Sequence, residues 1–327
     1  MVDDNLIVGV VLPVALAVIM FTLGLGLTLD DFRRVFVFPK GVSIGLVNLV
    51  LVSPLLAFLI ADLLNLDPAI ALGLVLLGAS PGGTLANMFT HLAKGETALS
   101  VTMTAISSIC SVVTIPIFLT LANNYFDAGK SLEDVNMLTV VLRTFLITVL
   151  PLSIGMFVRS RSPVWVDRYQ PTFMKVSVVL FFLVVLAAIF SELDLIRENF
   201  WRVAAAALLL NILAMTISFT VARVARLSDR QATAIAMELG IHNGTVAIVV
   251  AGMINDELMI PAAVYAVFMY FTGGAFAYFM AKRNSRGEVS EAARPRNRRS
   301  RAFGQGCSSW RDLSKAQLPW SPVRAVG

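Results

Sequence analysis

Apolar residues along the chain gather into nine blocks of roughly 20, each long enough to cross a hydrocarbon layer about 30 Å thick. They run from Leu6 to Leu27, Val42 to Ala61, Ala69 to Leu92, Thr97 to Asn123, Leu138 to Val158, Phe173 to Ser191, Val203 to Ala222, Ala232 to Ile254 and Met259 to Ala281. The pattern predicts an all-α polytopic membrane protein with nine transmembrane helices over residues 1–281. The first block is too long for the apolar region of a signal peptide and lacks both a positive flank and an A-x-A site, so it reads as a retained span.

Composition agrees: 57% of the 327 residues are hydrophobic and 14% charged, with mean hydropathy +0.79, which excludes a soluble globule. The net charge of +5 looks like a nucleic-acid signature until it is located. Residues 282–327 carry 11 Lys/Arg against three acids, a net of +8, and the rest of the chain is −3. A basic, weakly apolar tail after the last span reads as a disordered cytoplasmic segment drawn to anionic lipid, with no nucleic acid as partner. Loop charges orient the spans. Arg33, Arg34, Lys40, Lys94, Arg159, Arg161, Arg168, Lys175, Arg223, Arg226 and Arg230 fall on the side of the tail, while Asp62, Asp67, Glu133, Asp134, Asp256 and Glu257 fall opposite. The positive-inside rule then places the N-terminus outside and the C-terminus in the cytoplasm of a multi-pass cell (inner) membrane protein. Cys110 and Cys307 give neither a disulfide framework nor metal spacing.

Two features repeat. Asn48 sits in the second span and Asn211 in the seventh, and about thirty residues after each the next span is interrupted, by Ser80-Pro81-Gly82-Gly83-Thr84 and by Glu238-Leu-Gly240-Ile-His242-Asn243-Gly244. The offset of five spans is odd, so the two units lie in opposite orientations, an inverted repeat of four plus five spans. Pro81 removes a donor and clashes with the preceding turn, and Gly82, Gly83 and Gly240 tolerate non-helical dihedrals, so these four mark helix breaks. A break in the bilayer leaves carbonyls at one half-helix end and N–H groups at the next start, suited to a cation and an anion respectively. A plain proline kink is the competing reading.

Glu238 lies within an apolar run, where a carboxylate costs at least about 2.5 kcal/mol, so it reads as functional by default, through a metal cation, a proton or a pairing with His242 at i+4. Ser100, Thr104, Ser107 and Ser111 recur at spacings of four, three and four and form one polar stripe on the fourth span. Such hydroxyls often bond only their own i−4 carbonyl, which stays open for Ser107 and Ser111. Asn87, Ser100, Thr104 and Glu238 together make an oxygen set of the kind a hard cation prefers. Arg143 reads as snorkelling to the outer interface. No nucleotide loop, zinc spacing or nucleophile–base arrangement is present, so an enzyme has no support.

Gly78-Ala-Ser-Pro81-Gly82-Gly83-Thr84-Leu-Ala-Asn87, Leu92-Ala-Lys94-Gly95-Glu96-Thr-Ala-Leu-Ser100-Val-Thr-Met-Thr104 and Glu238-Leu-Gly240-Ile-His242-Asn243 resemble the bile acid:sodium symporter family, in its bacterial form, over about residues 6–281. The resemblance implies panel and core domains, with two broken helices crossing mid-membrane, and a sodium-coupled importer of a small organic anion working by alternating access. It also implies no cofactor beyond Na+ as coupling ion. One sodium site would use Asn87, Ser100, Thr104 and Glu238; Ala86 stands where members often have Ser. A second would use Glu238, the carbonyls of Leu239 and Ile241, His242 where members usually have Gln, and Asn48. Imidazole nitrogen is a poor ligand for sodium, and a protonatable His242 would make coupling pH-dependent. Thr84, Asn243, Gly244 and Thr245 are candidates for the substrate carboxylate. A proton-coupled carrier or exchanger is the runner-up, and a non-transporting membrane sensor on the same fold is the reading from another class.

Overall fold

The structure is a computed structural model that describes residues 7–126 and 137–292. It is all-α: among the described residues strand-like pairing is confined to one isolated bridge. After a π-turn, α1 spans Leu12–Gly26, and the short α2 (Leu29–Arg33) starts at a Thr28–Asp31 capping box. Then come α3 (Pro39–Leu63), α4 (Pro68–Ala79), α5 (Thr84–Leu92), α6 (Thr97–Phe126), α7 (Leu138–Arg161) and α8 (Pro163–Ser191). The chain continues with α9 (Leu193–Val224), α10 (Asp229–Gly240), α11 (Gly244–Gly252) and α12 (Ile260–Ala292). Pro39, Pro68 and Pro163 each open a helix, where the missing N–H costs nothing.

Among the described residues seven helices are long and apolar enough to cross a membrane, and the chain is a multi-pass membrane protein. The third and eighth predicted spans are each two half-helices, α4/α5 and α10/α11. Helix edges differ from the apolar blocks where amphipathic turns extend a span. α8 begins at Pro163 rather than near Phe173, carrying Arg168 on the added turns, and α12 runs on past residue 281. Residues 293–327, which hold most of the basic tail, lie outside the described residues, as do Glu133 and Asp134. Arg143 is exposed on α7. Glu192, between α8 and α9, has its carboxyl raised above the usual range by burial and then by the carboxylates of Asp256 and Glu257.

α1 packs on α7 and α8; α4 and α10 are almost wholly buried, against α3, α6 and α9, and α11 is buried against α1, α4 and α8. The packing of α1 on α7 depends on backbone contact. A Cβ on Gly24 would meet Leu152 O at 2.1 Å, and one on Gly155 would meet Phe21 O at 2.3 Å. Gly155→Ala is therefore expected to cost about 1–3 kcal/mol through forced separation of α1 from α7. Thermal unfolding in detergent reads this directly, and an unchanged midpoint would refute the proposed contact.

Candidate functional site

The first break follows from Pro81. The residue before a proline is pushed out of the helical region, and Ser80 is extended at φ −69°, ψ 150°, so α4 ends at Ala79. Gly83, at φ −89°, ψ 154°, leads into α5. At the second break, α10 ends at Gly240, and the Asn243 side chain caps α11 by accepting from Val246 N–H at 3.2 Å.

The two breaks satisfy each other. Gly83 N–H donates to Ile241 O at 2.9 Å and Asn243 N–H to Pro81 O at 2.8 Å, an antiparallel bridge between Gly82 and His242. Backbone groups freed from helices must find partners in a membrane interior, and here they find one another. No glycine in the described residues has a positive φ, so the expected reason for Gly82 and Gly83 is corrected. Gly83 has ordinary extended dihedrals, and what both glycines supply is room. A Cβ on Gly82 would lie 1.8 Å from Glu238 Oε2, and one on Gly83 would lie 3.1 Å from His242 O. Gly240 likewise makes space, for Met215 on α9, with a Cβ only 2.3 Å from its side chain.

Glu238 sits in the last turn of α10, still helical, and is fully buried. Ser100 Oγ, on α6, lies 2.5 Å from Glu238 Oε1 and 2.8 Å from Asn87 Oδ1. One turn on, Thr104 Oγ1 lies 2.9 and 3.0 Å from the two carboxylate oxygens and 3.3 Å from Asn87 Oδ1. Three elements, α5, α6 and α10, thus bring Asn87, Ser100, Thr104 and Glu238 together. Each hydroxyl carries one hydrogen, so the two cannot serve all of these contacts among acceptor oxygens at once. The cluster is short of hydrogens, a lack that a cation or a proton on Glu238 would relieve, and its oxygens are of the kind that fits a hard cation. Ser107 is drawn in as well: its Oγ accepts from Gly82 N–H at 3.3 Å and donates to Thr104 O, whereas Ser111 bonds only back to Ser108 O.

The other predicted positions lie around the crossover but apart from this cage. Because α10 stops at Gly240, His242 is not one helical turn beyond Glu238. Its Nε2 sits 2.8 Å from Ser53 Oγ on α3. Asn48 opens a π-turn in α3, where its Nδ2 donates to Ile44 O and its Oδ1 is buried without a partner. The carbonyl of Ile241 accepts from Gly83, and that of Leu239 lies 3.5 Å from Tyr265 Oη. Asn211 and Tyr265 both donate to Gly240 O, at 2.7 and 2.9 Å, which completes the end of α10. Ser53 and Tyr265 are absent from the sequence reading. Their only signal was a polar group inside an apolar helix, and Tyr265 lies in the run Ala262-Ala-Val-Tyr-Ala.

On the other side of the crossover, a cleft lies between the starts of α5 and α11 and the helices α1 and α8. Thr84, Asn243, Gly244 and Thr245 all line it, as do Ser177 and Phe181 of α8. Two half-helices of nine residues each point their N-termini there, an arrangement that favours negative charge. Thr245 and Ser177 each hold a buried hydroxyl without a partner.

Residues 13–199, more than half of the chain, match the model of the Sodium Bile acid symporter family. The chain is 29% identical over 272 residues to the probable sodium/metabolite cotransporter BASS2, chloroplastic, of Oryza sativa subsp. japonica, and 30% identical over 267 residues to the probable sodium/metabolite cotransporter BASS1, chloroplastic, of Arabidopsis thaliana. These alignments take in 83% and 81% of this chain but 64% and 65% of those two proteins, so the chain spans about two thirds of their length. With the uncharacterized sodium-dependent transporter YocS of Bacillus subtilis it shares 28% identity over 274 residues, 83% of each chain. The match runs through α1 to α8, including the first break and the α6 hydroxyls, and on these grounds the chain belongs to the sodium bile acid symporter family.

Proposed function

We propose that this protein is a sodium-coupled symporter that imports a small organic anion by alternating access. The observation that carries the reading is the buried cage around Glu238, in which the hydroxyls of Ser100 and Thr104 and the amide oxygen of Asn87 crowd a carboxylate with too few hydrogens between them. Sodium on these four residues supplies the missing positive charge. Glu238 then holds its position against Gly82, and the bridge between the two breaks holds the starts of α5 and α11 ready for an anion. Glu238 with Leu239, Ile241, His242 and Asn48 forms the companion set for a second cation, with the orphaned Asn48 Oδ1 as its free oxygen. The relatives named as sodium-coupled transporters support the coupling ion.

The substrate carboxylate is assigned to the cleft, on Thr84, Asn243, Gly244 and Thr245, where two half-helix starts converge. In this reading α4/α5 and α10/α11 cross the membrane as broken spans, making nine in all, in two inverted units of four and five. The N-terminus is outside and the basic tail cytoplasmic, in contact with anionic lipid. α1, α7 and α8 form the panel against which the remaining helices move.

Uptake by purified protein in liposomes, with and without an inward sodium gradient at several pH values, tests the assignment. Accumulation of a carboxylate is expected only with sodium outside. Accumulation driven by a proton gradient in potassium buffer would establish the proton-coupled carrier instead.

A further inference from the structure

α3 and α6 are each long and apolar enough to cross a membrane, and each carries a polar group one residue before its end: Asp62 in α3 and Tyr125 in α6. At that end the two helices border a groove of about 380 Å³, whose apolar lining includes Leu55, Leu59, Phe118 and Leu121. Leu51, Leu55 and Leu59 on α3, and Val113, Ile117 and Leu121 on α6, recur every four residues and are about half exposed. Two apolar stripes therefore run along the spans into the groove. At the helix ends Tyr125 is fixed by its neighbours. Its ring centroid lies 4.9 Å from that of Phe126 and 6.0 Å from that of Phe58, both edge-on, and Phe58 stacks on Phe126 at 5.6 Å. From this cluster the Tyr125 hydroxyl donates to Asp62 Oδ1 at 3.1 Å. The carboxylate is exposed, and no Lys or Arg lines the groove. Among the described residues Asp62 enters no ion pair, whereas Asp30, Asp31, Asp167 and Asp229 are each paired with an arginine.

An apolar groove that opens on a bilayer is filled by acyl chain, and hydrocarbon alone selects no lipid. The selection comes from the helix ends, where one full negative charge stands beside an aromatic ring. Tyrosine is common at membrane interfaces, but that preference does not require the hydroxyl to hold an unpaired carboxylate beside an apolar groove. An ammonium group answers both features, by attraction to the Tyr125 ring and by a charge-assisted hydrogen bond to the Asp62 carboxylate. We propose that this groove binds a phospholipid whose headgroup carries a primary ammonium, with an acyl chain between α3 and α6 and the ammonium on Asp62 and Tyr125. A quaternary ammonium keeps the attraction to the ring but has no hydrogen to donate. A headgroup of net negative charge is repelled by the carboxylate.

The test is lipid binding to the purified full-length protein in detergent, counted by native mass spectrometry and read separately as thermal shift. The probes are phosphatidylethanolamine, phosphatidylcholine and phosphatidylglycerol with identical acyl chains. Because the basic tail also attracts anionic lipid, each lipid is compared between wild type and variant rather than with the other lipids. Asp62→Asn is expected to weaken binding of phosphatidylethanolamine about three- to tenfold, the worth of one charge-assisted contact at an exposed site. The loss for phosphatidylcholine is expected to be smaller, and phosphatidylglycerol is expected to bind no more weakly than before. Leu59→Trp, which fills the groove, is expected to weaken phosphatidylethanolamine without touching the charge. Unchanged binding of phosphatidylethanolamine in Asp62→Asn, or an equal loss for all three lipids, would overturn the site. So would a fall in the Asp62→Asn midpoint as large in lipid-free detergent as with phosphatidylethanolamine, because the partner of the carboxylate would then be the protein itself.

Discussion

Glu238→Gln is expected to abolish sodium-dependent stabilisation of the purified protein and to reduce sodium-driven uptake to background. The substitution keeps the side chain's shape and removes only its charge, so it isolates the electrostatic part of the cage. A ligand present at a hundred times its dissociation constant stabilises a native state by about 2.7 kcal/mol, and that increment is what the variant should lose. Without sodium the order reverses. A buried carboxylate lacking a counter-charge is costly, so in potassium buffer the glutamine protein is expected to melt at or above the wild type. The readout is the midpoint of both proteins in matched sodium and potassium series. A full sodium response in the variant would refute the cage.

The second large effect is expected at Gly82, which bears no charge and no side chain. An alanine there would place its Cβ 1.8 Å from Glu238 Oε2 and 3.0 Å from Cδ. Something must move, and the backbone is held on both sides by the bridge to Ile241 and Asn243. The carboxylate is therefore pushed away from Ser100 and Thr104, and the apparent affinity for sodium is expected to fall at least tenfold, roughly the effect of one charge-assisted hydrogen bond. Gly83→Ala provides the comparison: its Cβ would meet His242 O at 3.1 Å, a contact relieved by a few tenths of an ångström. Sodium titrations by thermal shift should rank wild type, Gly83→Ala and Gly82→Ala in that order. An unaltered titration for Gly82→Ala would show that the carboxylate does not need its position.

Much of this site was legible in the residues because membranes make polar groups conspicuous. A carboxylate in an apolar run, a proline followed by two glycines, and hydroxyls at helical spacing each break a strong local rule, and the fold places Asn87, Ser100, Thr104 and Glu238 within hydrogen-bonding reach. What stayed hidden depends on pairings distant in sequence. Ser53 beside His242, and Asn211 with Tyr265 on the Gly240 carbonyl, follow from how α3, α9 and α12 pack around the crossover, and no periodicity encodes that. Glycine was misread for a related reason. Its conformational freedom can be inferred from local sequence, but its lack of volume matters only against a partner that arrives from elsewhere, as Glu238 does at Gly82.

The bridge between the breaks also bears on biogenesis. Pro81 O and Gly83 N–H have their partners at Asn243 and Ile241, so if α4 and α5 cross the membrane as the proposed broken span, they enter the bilayer with polar backbone exposed to an environment that cannot solvate it. They remain so until the ribosome has passed Asn243 and α10 and α11 have inserted. Truncation anywhere before that point leaves a defect that no residue of the N-terminal half repairs, and such fragments should be recognised and degraded rather than accumulate as stable half-proteins.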